Sequence, residues 1–154
     1  MEMMDSLKKV CLENNDIGDG GAVALSKALE DNDTLLSIHL ENNGISREGA
    51  CSLGEMLSNK FKLSKLNLNN NPIGDEGFCK IAEGLQEIET LRIITLANTE
   101  ITKASIPSLS HSLQNKRFLT KLLLDNNKIG PEGAKLLAIG IKNNETFTPH
   151  YKKA

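Results

Sequence analysis

Leu7, Leu35, Leu63, Leu91 and Leu119 each follow the last by 28 residues, and each opens the same short pattern. A fixed period of this size restricts the fold sharply. One strand-and-helix unit cannot bury its apolar face alone, so the units must stack. The pattern runs leucine, two residues, an aliphatic residue, one residue, leucine, two residues, Asn or Thr, one residue, isoleucine. After each opening leucine the anchors are Val10, Leu12, Asn15 and Ile17, then Ile38, Leu40, Asn43 and Ile45. They continue as Leu66, Leu68, Asn71 and Ile73, then Ile94, Leu96, Thr99 and Ile101, and end as Leu122, Leu124, Asn127 and Ile129.

Positions 4 and 6 of each unit are apolar and two apart, so they share one face of a short strand. The carboxamide at position 9 follows the strand and can bond the backbone of adjacent turns as a ladder. Thr99 should break that ladder, because a hydroxyl cannot make every bond of a carboxamide. The second half of each unit carries apolar residues at helical steps. These are Ala22, Leu25, Ala28 and Leu29, then Ala50, Leu53, Met56 and Leu57, then Phe78, Ile81, Gly84 and Leu85. The stripe continues as Ile106, Leu109, Ser112 and Leu113, and as Ala134, Leu137, Gly140 and Ile141.

Small residues at the third site of the stripe are expected to let helix and strand approach. Gly21, Gly49, Gly77 and Gly133 are expected to serve close approach at the helix entry. Pro107 is tolerated only in a first helical turn, so the fourth helix should start late, near Ala104, or begin distorted. The expected fold is α/β: a horseshoe solenoid of five 28-residue strand–helix repeats, with a parallel sheet on the concave face. It forms one domain over residues 1–154, with no internal boundary.

The 28-residue pattern, with its Asn-x-Ile-Gly step and Gly-Ala-rich helix entry, resembles the ribonuclease-inhibitor-type leucine-rich repeat. Asn14 to Gly18 and Asn126 to Gly130 show it best. The repeat class includes ribonuclease inhibitor, the Ran GTPase-activating protein, tropomodulin and NOD-like receptor arrays. The resemblance implies protein recognition through the concave surface and rims. Ribonuclease inhibitor itself is the poorer match, since its units alternate in type and are cysteine-rich, whereas all units here are 28 long.

Composition removes several function classes. A net charge of −2 gives no electrostatic footprint for nucleic acid or an anionic membrane. With aromatics at 3 % and no Trp, stacking platforms for single strands are missing. No apolar run approaches the roughly 18 residues of a membrane span. Met1 to Ser6 lacks the apolar segment of a signal peptide. Cys11, Cys51 and Cys79, an odd set with no close pair, point to a reducing compartment and a cytoplasmic protein.

The concave positions can be read from the period. Position 3 gives Lys9, Ser37, Lys65, Ile93 and Lys121; position 5 gives Cys11, His39, Asn67, Thr95 and Leu123. Position 7 gives Glu13, Glu41, Asn69, Ala97 and Asp125. Position 8 is Asn in every unit and reads as turn chemistry. Lys9, Glu13, His39, Glu41, Lys65, Asn67, Ile93, Thr95, Lys121, Leu123 and Asp125 are the expected partner-binding residues. Lysines flank one side of the strip and carboxylates the other, and Ile93 and Leu123 form an apolar patch.

No catalytic residue, cofactor or metal is expected. Glu13 and Glu41 should lie roughly 5 Å apart on neighbouring strands. That spacing could suggest a glycosidase pair, but a solvated acidic edge is the simpler reading. His39 beside Cys11 lacks a third residue to orient it and reads as an isolated surface histidine. His39, His111 and His150 have no metal-ligand spacing. The expected function is a protein–protein interaction scaffold, with a protein as partner. The alternative is a regulator of an enzyme, either GTPase activator-like, with Arg47 on the rim, or nuclease inhibitor-like. Both ends read as uncapped, because Met1 and Phe147 fall in phase with neighbouring units, so self-association through an end, or cover from flanking sequence in a longer parent, is expected.

Overall fold

The structure, a computed structural model, describes residues 6–60 and 62–144. Five three-residue strands form one sheet: β1 (Lys9–Cys11), β2 (Ser37–His39), β3 (Lys65–Asn67), β4 (Ile93–Thr95) and β5 (Lys121–Leu123). All neighbours are parallel, in sequence order, and each residue pairs with its equivalent one unit later. The helices are α1 (Gly18–Ala28), α2 (Arg47–Leu57), α3 (Gly74–Leu85), α4 (Ile106–Ser112) and α5 (Gly130–Lys142). The strand centres are the residues that the period predicts. Helix α4 is the shortest: a 3₁₀ turn over Lys103–Ser105 precedes it and Pro107 sits in its first turn. The distorted start expected from Pro107 is therefore present.

The carboxamide ladder forms as the pattern requires. Asn43 donates from Nδ2 to the carbonyls of Leu12 and Leu40, and its Oδ1 accepts from the N–H groups of Asn15 and Ile17. Asn71 repeats the arrangement one unit on. At Thr99 the ladder breaks. The Thr99 hydroxyl donates to Leu96 C=O, and the Ile73 N–H turns back to Asn71 C=O. Beside this row, Asn14, Asn42, Asn70, Asn98 and Asn126 all hold φ between 54° and 60°. Asn tolerates this left-handed region better than other residues with a Cβ, which accounts for the invariant position 8.

The core lies between sheet and helices and is complete only in the middle units. Leu35, Leu63 and Leu91 are fully buried, whereas Leu7 and Leu119 are half-buried. The glycines at the helix entry act as expected. A Cβ on Gly49 would meet Asp19 Oδ1 at 2.6 Å and Ala22 Cβ at 3.0 Å. The small third-site residues of the stripe act differently from expectation. Gly84 lies against the backbone carbonyl of Gly54, and Gly140 against Ser110, so the close approach is between neighbouring helices, not between helix and strand. Ala28, assigned to the stripe, is exposed.

The units also alternate, contrary to the uniformity read from their equal length. Units 1, 3 and 5 enter the helix through Gly18, Gly74 and Gly130, with φ of 65°, 69° and 65°. Units 2 and 4 enter through Ser46 and Thr102, whose backbones are extended. Asp19 accepts from Ser46 N–H and Gly49 N–H, and Asp75 accepts from Thr102 N–H and both hydroxyls of Thr102 and Ser105. An aspartate of units 1 and 3 thus caps the helix of the next unit. At the other end of the helices, buried Lys60 and Lys116 reach back from the even units. Each donates from Nζ to a carbonyl at the end of the preceding odd helix, Glu30 or Gln86, and to Asn59 or Asn115 Oδ1. A cation there meets the negative end of the helix dipole. The true repeat is therefore a pair of units. The uncapped ends expected from Met1 and Phe147 lie outside the described residues.

Candidate functional site

The concave strip is built from the outward side chains of the five strands and the residues just beyond them. Pairing in register lines up Lys9, Ser37, Lys65, Ile93 and Lys121 across the sheet. Lys9 and Lys121 are exposed, and Lys65 and Ile93 are half-buried. Position 7 follows each strand, with Glu13 and Glu41 half-buried and Asp125 exposed. The two-sided charge pattern is therefore present in the placement of these side chains.

The middle row differs from expectation at two points. His39 was read as an isolated surface residue, but it is 7 % exposed. Its Nδ1 lies 3.8 Å from Glu13 Oε1, too far for a hydrogen bond. Glu41 is not a simply solvated edge either. Asn67 Nδ2 donates to its Oε1 at 2.8 Å, while its Oε2 is shut off from solvent with no hydrogen-bond partner among the described residues. Thr95 is 5 % exposed, and its hydroxyl likewise has no partner among the described residues. In register it faces half-buried Leu123, so the apolar patch of Ile93 and Leu123 is partly closed around Thr95.

The structure thus brings Glu13, His39, Glu41 and Asn67 together at one end of the strip, and Ile93, Thr95 and Leu123 at the other. Lys9, Lys65 and Lys121 stay apart, with Ser37 and Ile93 between them. The Glu13–Glu41 pair is legible from the period, but sequence spacing pairs the His39 ring, 26 residues after Glu13, with Cys11 and not with these carboxylates. The signal was nevertheless present, since position 5 of one unit and position 7 of its neighbours become adjacent once strands pair in register.

Arg47 begins α2 and pairs with Glu76 at 2.9 Å across to α3. The Glu76 carboxylate holds the guanidinium pKa above its ordinary value. Arg92 lies over the ring of Phe118, 5.5 Å from its centroid. One groove of about 340 Å³ lies between α1 and α2, on the side away from the strip, and is lined by Val23, Glu30, Met56 and Asn59 among others. Among the described residues no helix is long and apolar enough to cross a membrane.

Residues 6–26, 59–82 and 115–138 match a family model described as Leucine Rich repeat. These stretches end two units apart and fall on units 1, 3 and 5. The fold is a leucine-rich-repeat α/β solenoid, and its repeats are similar to the ribonuclease-inhibitor type. Two of the solved structures that share its fold are a leiomodin-1 structure and a tropomodulin domain. A leiomodin-1 structure described as actin-binding site 2 is 21 % identical with a TM-score of 0.74, covering 95 % of this chain and 85 % of that one. The tropomodulin C-terminal domain from Caenorhabditis elegans is 14 % identical with a TM-score of 0.75, covering 96 % and 89 %. No curated protein matches by sequence comparison.

Proposed function

We propose that the chain is a protein–protein interaction scaffold that docks a protein partner on its concave strip and rims. The observation that carries this reading is the ordered strip itself. A rigid parallel sheet presents lysines on one side, carboxylates on the other and an apolar patch toward β5. Such a surface selects partners of matching polarity mainly through association rate. The free cysteines Cys11, Cys51 and Cys79 fit a reducing, cytoplasmic setting. The enzyme-regulator reading gains no observation in its favour. Arg47, its candidate arginine, is engaged by Glu76.

Monomeric actin is the first partner to test, because the leiomodin-1 structure that shares this fold is described as an actin-binding site. Association kinetics of the full chain with actin at low salt provide the readout. Lys65→Glu is expected to slow association several-fold, and Leu123→Asp to speed dissociation while the chain stays folded. Wild-type binding that neither substitution changes would remove the strip as the docking surface. If actin does not bind, the same pair of variants applies to any partner recovered by affinity capture.

A further inference from the structure

We propose that Glu13, His39 and Glu41 form a binding site for a divalent transition cation of the zinc class on the concave face. One donor atom from each, a histidine ring nitrogen and two carboxylate oxygens, lies within 4.8 Å of the others. Two features separate this cluster from an acidic patch. The first is His39, whose side chain is only 9 % exposed and whose ring nitrogens make no hydrogen bond among the described residues. Its Nδ1 is turned toward Glu13, 3.8 Å from Oε1, too far for a direct hydrogen bond but within the span an ion could bridge. The second is Glu41. Asn67 donates to its Oε1, and its Oε2 is shut off from solvent with no partner among the described residues. An outer hydrogen bond that orients a carboxylate while its other oxygen stays free is the usual support of a metal ligand.

The donor set selects the ion. Calcium and magnesium are hard cations that take all-oxygen shells, so an imidazole nitrogen is a poor ligand for either. One nitrogen and two oxygens suit zinc, with a fourth position left to water or a partner's donor. Zinc–ligand bonds of roughly 2.0–2.2 Å need donors about 3.3 Å apart. The ligand atoms must therefore close by somewhat over an ångström. Glu13, with its side chain 33 % exposed, has room to swing inward, while β2 holds the imidazole in place. The expectation of no metal rested on spacing between histidines, and a solenoid gathers ligands across strands instead.

The test uses the full chain with Cys11, Cys51 and Cys79 changed to serine, so that thiols cannot bind the ion. Calorimetric titration with zinc chloride is expected to show one zinc per chain, with calcium and magnesium chloride giving none. Glu13→Gln and Glu41→Gln should each weaken zinc binding about tenfold or more. Both variants remove a charge at nearly constant shape, so folding is preserved and checked by circular dichroism. His39→Gln should abolish binding. Cobalt(II) should give the visible bands of a low-coordinate ion, which zinc displaces. No zinc binding, unchanged affinity in both Gln variants, or calcium binding as tight as zinc would each overturn the proposal.

Discussion

At the scale of single residues, the ladder position shows how one side chain sets the stability of its neighbours. Asn71 in unit 3 finds no carboxamide to accept its N–H, because Thr99 stands at the next rung. Thr99→Asn is expected to restore bonds to the Asn71 and Ile73 N–H groups and stabilise the fold by about 1–2 kcal/mol. A thermal melt should show the midpoint rising by several degrees. An unchanged or lower midpoint would mean that the larger carboxamide does not fit. Lys116 gives a pH-dependent case. It is 0 % exposed, and burial lowers its pKa to about 8. In the unfolded chain the same amine titrates near 10.4. Between about pH 8 and 10.4 the unfolded state therefore binds more protons, so stability from this site rises with pH. Against Lys116→Met, the parent should gain on the order of 1 kcal/mol or more from about pH 7.5 to 10 in urea unfolding. A flat difference would place the ammonium in water. The ladder and the breaking role of Thr99 were legible in the sequence, because hydrogen-bonding capacity follows from residue type. The burial of His39 was not. Alternation of side chains along a strand gives its outward face but not how closely neighbouring units crowd it.

At the scale of elements, strands and helices followed from the apolar anchors alone, since every unit repeats them. The pairing of units into odd and even types did not, because it is written at positions between the anchors. Asp19 and Asp75 are the clearest instance: each caps a helix that begins 27 or 28 residues later. Burial pushes the Asp75 carboxyl up, but the hydrogen bonds from Ser105 and Thr102 together outweigh it and hold the pKa below the usual value. The resulting stability is present above the unfolded carboxylate pKa of about 3.9 and is lost as pH falls through the lower folded value. Asp75→Ala is expected to destabilise the chain by about 1–2 kcal/mol at neutral pH in urea unfolding. That deficit should shrink in acid. A deficit that persists undiminished at low pH would assign the effect to packing instead of the cap.

At the scale of the whole molecule, the two outer units differ from those between them. Leu57, Leu85 and Leu113 close their stripes almost fully buried, whereas Ile141, at the same site in unit 5, is 42 % exposed. Ile139 is 57 % exposed where the other units carry Lys27, Glu55, Glu83 and His111. An exposed apolar helix face of this kind is a surface that a second copy or another partner can cover. Sedimentation equilibrium is expected to show mass rising with concentration, and Ile139→Glu to reduce that rise. A constant monomer mass across the range would show that this face of α5 does not draw a second copy.

The central claim, that the concave strip is the docking surface, has a direct measurement. A photo-reactive residue is placed at position 67, on the strip, and in a second sample at position 83, on the outer side of α3. Each is irradiated with the bound partner, and the adducts are mapped by mass spectrometry. Docking on the strip predicts a partner adduct from position 67 and none from position 83. An adduct from position 83 alone would contradict it and move recognition to the helices.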